Sequence, residues 1–306
     1  MRSLTLLFTV GQLAIHLNPA SATPYQGRVH ETGSYFPAPA DYGTWLMAHY
    51  PSNDWTSHAG LVSIQTSNTG TGSAKVQVAD YGYQRLTDQK TNTGLPAENY
   101  GVWDLVDYDG DGTLDLIYIK NRDTASGKVE ISIASGSSSF ETVILQTESV
   151  LDSQVNGYWQ LFDVDGDGKL DLVYIQNSDT ASNKVEVHIA SGASDFKSVT
   201  KSIETVFDIA NDGRWQMANF DNDGTADLVY IQNINTSSGY VEINIASGAS
   251  EYQSIVQSVA SAYSTENSGV WQLIDWDKDG LLDLVYIKTQ DTAGSVEVHL
   301  GWGGDN

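Results

Sequence analysis

The chain has 306 residues, no cysteine and a formal charge of −24. A field of that sign repels nucleic acid and anionic membrane surfaces, which excludes both as partners. With no disulfide available, an extracellular fold of this size has to be held by a large core, by bound metal, or by both.

The N-terminus reads as an export signal. Arg2 precedes an apolar run over residues 4–17, and Ala20-Ser21-Ala22 supplies small residues at a cleavage position. The apolar run contains Gln12 and His16 and is too short to span a bilayer, so membrane insertion is not expected. Residues 1–22 are therefore expected to be a secretory signal peptide and the mature protein to be extracellular; loss of Arg2 takes the charge to −25. Asn235-Thr236-Ser237 is the one N-glycosylation sequon, in an expected turn, which marks Asn235 as a candidate glycan acceptor.

From residue 43 onward the chain repeats. Trp45, Trp103, Trp159, Trp215 and Trp271 are separated by 58, 56, 56 and 56 residues. The text around them recurs as Gly101-Val-Trp-Asp-Leu-Val-Asp, Gly157-Tyr-Trp-Gln-Leu-Phe-Asp, Gly213-Arg-Trp-Gln-Met-Ala-Asn and Gly269-Val-Trp-Gln-Leu-Ile-Asp. In the second unit four short β-type runs cover residues 102–107, 114–120, 128–135 and 140–146. The third run alternates apolar with polar, as in a half-buried strand. The second is almost continuously apolar, as in a strand covered on both faces. Four strands per unit at this period describe the blades of a β-propeller. The units are 43–100, which is degenerate, then 101–156, 157–212, 213–268 and 269–306. The last has no fourth strand, so residues 23–42 are expected to supply it and to close an all-β, five-bladed ring. The recurring tryptophans are expected to be wedges in the core.

Between the first and second strands of four units lies an acidic turn. Asp107, Asp109, Asp111 and Asp115 occupy loop positions 1, 3, 5 and 9. Asp163, Asp165, Asp167 and Asp171 repeat the spacing, as do Asp275, Asp277, Asp279 and Asp283. In the fourth unit Asn219 replaces the first acid and is followed by Asp221, Asp223 and Asp227. Alternate positions of a tight turn aim their oxygens inward, a Gly at position 6 allows the turn, and the main-chain carbonyl at position 7 can add an oxygen. That carbonyl belongs to Thr113, Lys169, Thr225 and Leu281 in the four loops. Calcium takes six to eight such hard oxygen ligands, and acids packed this closely repel one another without a cation. Ca2+ is therefore the expected cofactor. An EF-hand is excluded because position 12 holds Tyr118, Tyr174, Tyr230 and Tyr286 inside strands. In the first unit His49, Pro51 and Asn53 stand in place of acids, so no metal is expected there.

The D-x-D-x-D-G-x-x-D-L pattern resembles the FG-GAP or VCBS-type repeats of integrin-α-like propellers, well over residues 101–306 and loosely over 43–100. The resemblance implies calcium-binding loops that pin two strands of one blade. It also implies roles in adhesion and glycan binding, as in mushroom lectins built of similar blades.

No nucleophile-elbow, metalloprotease or phosphate-loop motif occurs, and no unique pair of acids stands out, so no enzymatic activity is expected. Loop position 2 carries Tyr108, Phe220 and Trp276, with Val164 as the exception. Exposed aromatics in such places would serve as platforms for sugar rings, with Trp55 and Trp302 as further candidates. The alternative use of the same rings is to cover a neighbouring blade. The expectation is a lectin-like module that binds glycan or cell-wall polysaccharide. A module for a cell-surface protein partner (an adhesion or effector role) and, less favoured, a carbohydrate-active enzyme are the alternatives.

Overall fold

The computed structural model describes residues 23–38, 43–50 and 58–304. The proposed signal peptide, Pro51, Asn53 and Trp55 lie outside the described residues. Strand β1 (Arg28–Pro37) precedes the first complete blade, which contains β2 (Gly43–Ala48), β3 (Gly60–Gln65), β4 (Lys75–Ala79) and β5 (Leu86–Lys90). Blade two contains β6 (Gly101–Val106), β7 (Asp115–Lys120), β8 (Lys128–Ala134) and β9 (Val143–Asp152). Blade three contains β10 (Tyr158–Phe162), β11 (Asp171–Gln176), β12 (Lys184–Ala190) and β13 (Val199–Asp208). Blade four contains β14 (Gly213–Ala218), β15 (Asp227–Gln232), β16 (Tyr240–Ala246) and β17 (Ile255–Ser264). Blade five contains β18 (Gly269–Ile274), β19 (Asp283–Lys288) and β20 (Ser295–Gly301), and β1 lies antiparallel beside β20 as its outer strand. The protein is an all-β propeller of five four-stranded antiparallel blades, closed by its N-terminal strand.

Burial follows the alternation in the sequence. The second strand of each blade is buried along almost its whole length, and the third buries every other residue. These faces meet at the seams between blades, where the cores form. One cluster joins Ile117, Ile119 and Ile131 of blade two to Trp159, Leu161 and Leu172 of blade three. Another joins Trp45, Met47 and Leu61 of blade one to Val285 and Val298 of blade five, completing the ring.

The repeated tryptophans are wedges in this packing. Trp103, Trp159, Trp215 and Trp271 each stack on the tyrosine opposite them on the second strand, with centroids 4.2–4.3 Å apart. Blade one has Ser63 opposite Trp45, and the edge of Phe36 fills the space instead, 5.0 Å away.

The fourth strand starts later than the sequence suggests. In blade two residues 136–138 form a 3-10 turn, Ser139 and Phe140 take left-handed backbone angles, and the strand begins only at Val143. Phe140 is apolar because it plugs the core from this turn, not because it belongs to a strand. Gly136 has to be glycine, since a Cβ there would lie 2.2 Å from the Leu114 carbonyl oxygen.

Candidate active site in the central channel and the aspartate loops

Each aspartate loop is organised by its own acids. Asp163 accepts the backbone N–H groups of Gly166 and Gly168 at 2.8 and 3.0 Å, and Asp107 makes the same two bonds to Gly110 and Gly112. The glycine at position 6 has a positive φ in all four loops, from +82° at Gly168 to +91° at Gly280. The acid at position 5 accepts the N–H of position 7, so Thr113, Lys169, Thr225 and Leu281 are each tied to it at 2.7–2.8 Å.

The acid at position 9 is a fastener as well as a candidate ligand. Asp115 accepts from Tyr108 N and Gly136 N, and Asp171 from Val164 N and Gly192 N. Asp227 and Asp283 do the same with Phe220 and Gly248 and with Trp276 and Gly303. Each buried carboxylate thus clamps the aspartate loop to a distant turn of its blade. Burial, reinforced by the neighbouring acids, raises the pKa of all four, that of Asp283 to about 7 beside Asp277 and Asp279.

The oxygens converge as a hard cation needs. Asp107, Asp109 and Asp115 bring ligand atoms within 4.8 Å of one another, as do Asp163, Asp165 and Asp171, and Asp275, Asp277 and Asp279. Asp275 Oδ1 and Asn219 Oδ1 are buried acceptors with no hydrogen-bond donor. An all-oxygen set with orphaned inward acceptors fits calcium in chemistry and charge.

The loop aromatics are not open platforms. Trp276 is 7% exposed, donates its indole N–H to Tyr83 at 2.8 Å and packs at a tilt against His58 in the blade five–blade one seam. Tyr108, Phe220 and Trp302 are half-buried and pack against core clusters, as Val164 does. Each covers a seam, which is the alternative use of an apolar ring at position 2. Asn235 is exposed in a turn at a φ of 57°, where a glycan acceptor was expected. In blade one His49 donates from Nε2 to the Asp275 main-chain oxygen, 2.7 Å away, and burial lowers its pKa.

The inner strands β2, β6, β10, β14 and β18 line the ring's central channel. The residue after each tryptophan faces the next blade, and in three blades it is a glutamine that staples that blade. Gln160 holds Met217 N and O, at 2.9 and 3.4 Å. Gln216 does so with Leu273 at 3.0 and 2.9 Å, and Gln272 with Met47 at 2.9 and 3.3 Å. The girdle is broken at two seams. Leu46 has nothing to donate, and Asp104 is one methylene too short, accepting instead from its own neighbour Leu105 N at 2.8 Å.

Asp104 lies in a cavity of about 290 Å³ at the first four positions of the inner strands, away from the aspartate loops. Tyr158, Arg214, Gln160 and Gln216 share the lining. Burial pushes the Asp104 carboxyl up to about 6, with the N–H of Leu105 and the Arg214 charge pulling the other way. Asp104 is the only carboxylate lining the cavity among the described residues. Sequence reasoning passed over it because it sits inside the repeat. The available signal was its departure from the repeat: Asp after Trp103, where three other units have Gln.

Fold and loops together define a five-bladed propeller stapled at its inner strands and organised by repeated aspartate turns. An FG-GAP-like repeat profile matches residues 107–174 and 163–230, so two FG-GAP-like repeats lie within the five-bladed propeller. No curated protein matches it in sequence. Among solved structures it is similar to the catalytic domain of a GH62 α-L-arabinofuranosidase from Coprinopsis cinerea. The TM-score is 0.53 at 9% identity, with 92% of this chain and 99% of that one covered. It is also similar to an endo-arabinase from Bacteroides thetaiotaomicron, with a TM-score of 0.52 at 10% identity over 87% and 96% of the two chains. A third is an α-L-arabinofuranosidase from Podospora anserina solved with cellotriose, with a TM-score of 0.51 at 10% identity over 94% and 96%. At such identity the likeness establishes the shared fold.

These findings correct two expectations. The lectin-like module loses its surface, because Tyr108, Phe220, Trp276 and Trp302 are packed into seams, and Trp55 lies outside the described residues. The expectation of no enzymatic activity is overturned by polysaccharide-cleaving enzymes sharing the fold and by the lone channel acid. A cell-surface protein partner gains no support from the comparisons.

Proposed function

We propose that the protein is a carbohydrate-active enzyme that cleaves glycosidic linkages of a cell-wall-type polysaccharide at the mouth of its central channel. The observation that carries the reading is Asp104, a single acid interrupting a girdle of glutamines, with its carboxyl held near 6. A group balanced between its protonated and ionised forms is suited to giving and taking a proton at a glycosidic oxygen. Paired-carboxylate hydrolysis uses a second acid roughly 5–9.5 Å from the first. Asp104 is the one carboxylate lining the cavity among the described residues, so it would supply the proton transfer without a paired acid there. The enzymes that share the fold supply the substrate class by analogy: arabinose-containing polysaccharides.

Calcium completes the reading as a structural ion. Bound at Asp107, Asp163, Asn219 and Asp275 and their loop partners, it would neutralise the clustered acids and hold the first two strands of each blade together. The reading also includes secretion: expression in a eukaryotic host should yield medium-borne protein beginning at Thr23. The central test is release of reducing ends from arabinan, galactan and arabinoxylan by calcium-loaded protein. Asp104→Asn should lower release about a hundredfold or more, as loss of an acid–base group does. No release from any polymer, or an unaffected Asp104→Asn variant, overturns the proposal.

A further inference from the structure

We infer that the channel cavity recognises a sugar carboxylate, so that the ligand is a uronic-acid-containing glycan. The inference rests on the channel being the site of glycan action and names the chemistry of what enters it.

Arg214 is the central observation. Blades one, two, three and five carry Thr44, Val102, Tyr158 and Val270 at the matching inner-strand position, so the arginine is unique to blade four. Among the described residues it is the only cation lining the cavity, in a chain with only 15 lysines and arginines against 39 acids. Several other cations are paired: Lys128 meets Asp152 at 2.6 Å, Lys184 meets Asp208 at 2.7 Å, and Arg85 meets Asp80 at 3.2 Å. Among the described residues no acid pairs with Arg214 at ion-pair distance, and its nearest charge influence is on Asp104 in the same cavity. Its guanidinium lies 5.8 Å from the centroid of the Tyr158 ring, whose hydroxyl is anchored to Gly213 O at 2.8 Å. The ring holds the guanidinium while leaving its N–H donors available.

A guanidinium offers a planar fork that matches a carboxylate with two parallel hydrogen bonds. The surrounding field of the acidic chain disfavours any anion, so an anionic ligand needs this local cation to enter. Asp104 lines the same cavity and offers acceptor oxygens to sugar hydroxyls. The cavity volume is near the lower end of the range for small-ligand sites, roughly 300–1,000 Å³. Arg214 is exposed and hydrated, so discrimination rests on the charge-assisted bond that a carboxylate adds and a neutral sugar lacks.

The test is calorimetric titration of the full-length, calcium-loaded protein with α-1,4-linked digalacturonate and with its neutral methyl ester. A charge-assisted bond of this type corresponds to roughly 10- to 100-fold tighter binding of the acid than of the ester. Arg214→Met should erase that preference, and Arg214→Lys should restore part of it, since the charge remains without the fork. Unchanged melting of both variants keeps the comparison one of binding. Equal affinity for acid and ester, or a preference that survives Arg214→Met, overturns the inference. If the ester and neutral arabinan are bound and cleaved while the acid is not preferred, only the carboxylate assignment fails. If neither sugar binds and Asp104→Asn changes nothing, the channel reading fails with it.

Discussion

Replacing Asp104 with glutamine should stabilise the fold while abolishing activity, and its size follows from the channel geometry. A carboxyl held near 6 instead of 3.8 carries about 3 kcal/mol of penalty when ionised. Glutamine removes that penalty. It also supplies the reach that spans the other seams, where the amide sits 2.9–3.4 Å from the next blade's main chain. Two new bonds to Leu161 contribute about 1 kcal/mol each, but Leu105 N loses its present acceptor at a cost of about 1–3 kcal/mol. After discounting for partial solvation of the carboxylate, the net gain is about 2 kcal/mol. In a chain of this size that is a rise in Tm of about 3 °C. The pH dependence carries the sharper sign. Because the folded pKa of Asp104 lies above its unfolded value, the wild type gains stability on protonation. That gain is complete below about 3.8 and is lost as pH rises through about 6. The advantage of Asp104→Gln should therefore be largest at pH 7–8 and shrink toward pH 4. Differential scanning calorimetry in calcium at both pH values measures it. A variant that melts no higher at pH 8, or whose advantage is the same at both pH values, refutes the assignment of Asp104 as a strained channel acid.

Chelation should lower the melting temperature by many degrees, since a site held at a hundred times its dissociation constant contributes about 2.7 kcal/mol and independent sites add; a melting curve unmoved by chelator contradicts structural calcium. Gln216→Leu should cost about 1–3 kcal/mol in urea unfolding, because Leu273 N and O, now bonded at 3.0 and 2.9 Å, lose their partner at the blade four–blade five seam. A midpoint equal to wild type would show that the glutamine girdle does not hold the ring.

Much of this architecture was legible before any coordinates. The 56-residue period between Trp103, Trp159, Trp215 and Trp271 predicts the blades, because stacked repeats must bury identical faces in identical ways. The missing fourth strand of the last unit predicts the closure that β1 makes with β20. The aspartate spacing predicts convergence, since local chain geometry alone sets which oxygens face inward. Other features depend on neighbours distant in sequence. That Trp276 is buried depends on Tyr83 and His58, almost two hundred residues or more away. Likewise, nothing local distinguishes Phe140 in a strand from Phe140 in a plugging turn.

The same reasoning explains why the candidate site was hidden. A search for chemistry by recurring motif finds what every blade needs, and the recurring acids serve the fold: Asp115, Asp171, Asp227 and Asp283 each carry two backbone N–H groups. A ring of near-identical strands can concentrate chemistry at its axis only by breaking its own symmetry, because five equal side chains around a channel present no distinct acid, base or cation. Asp104 and Arg214 break it on different blades, at adjacent levels of the same cavity. Asp104 also gives up a staple that three other blades keep. In a repeat protein, the residue that forgoes the stabilising choice is therefore the one to test first for function.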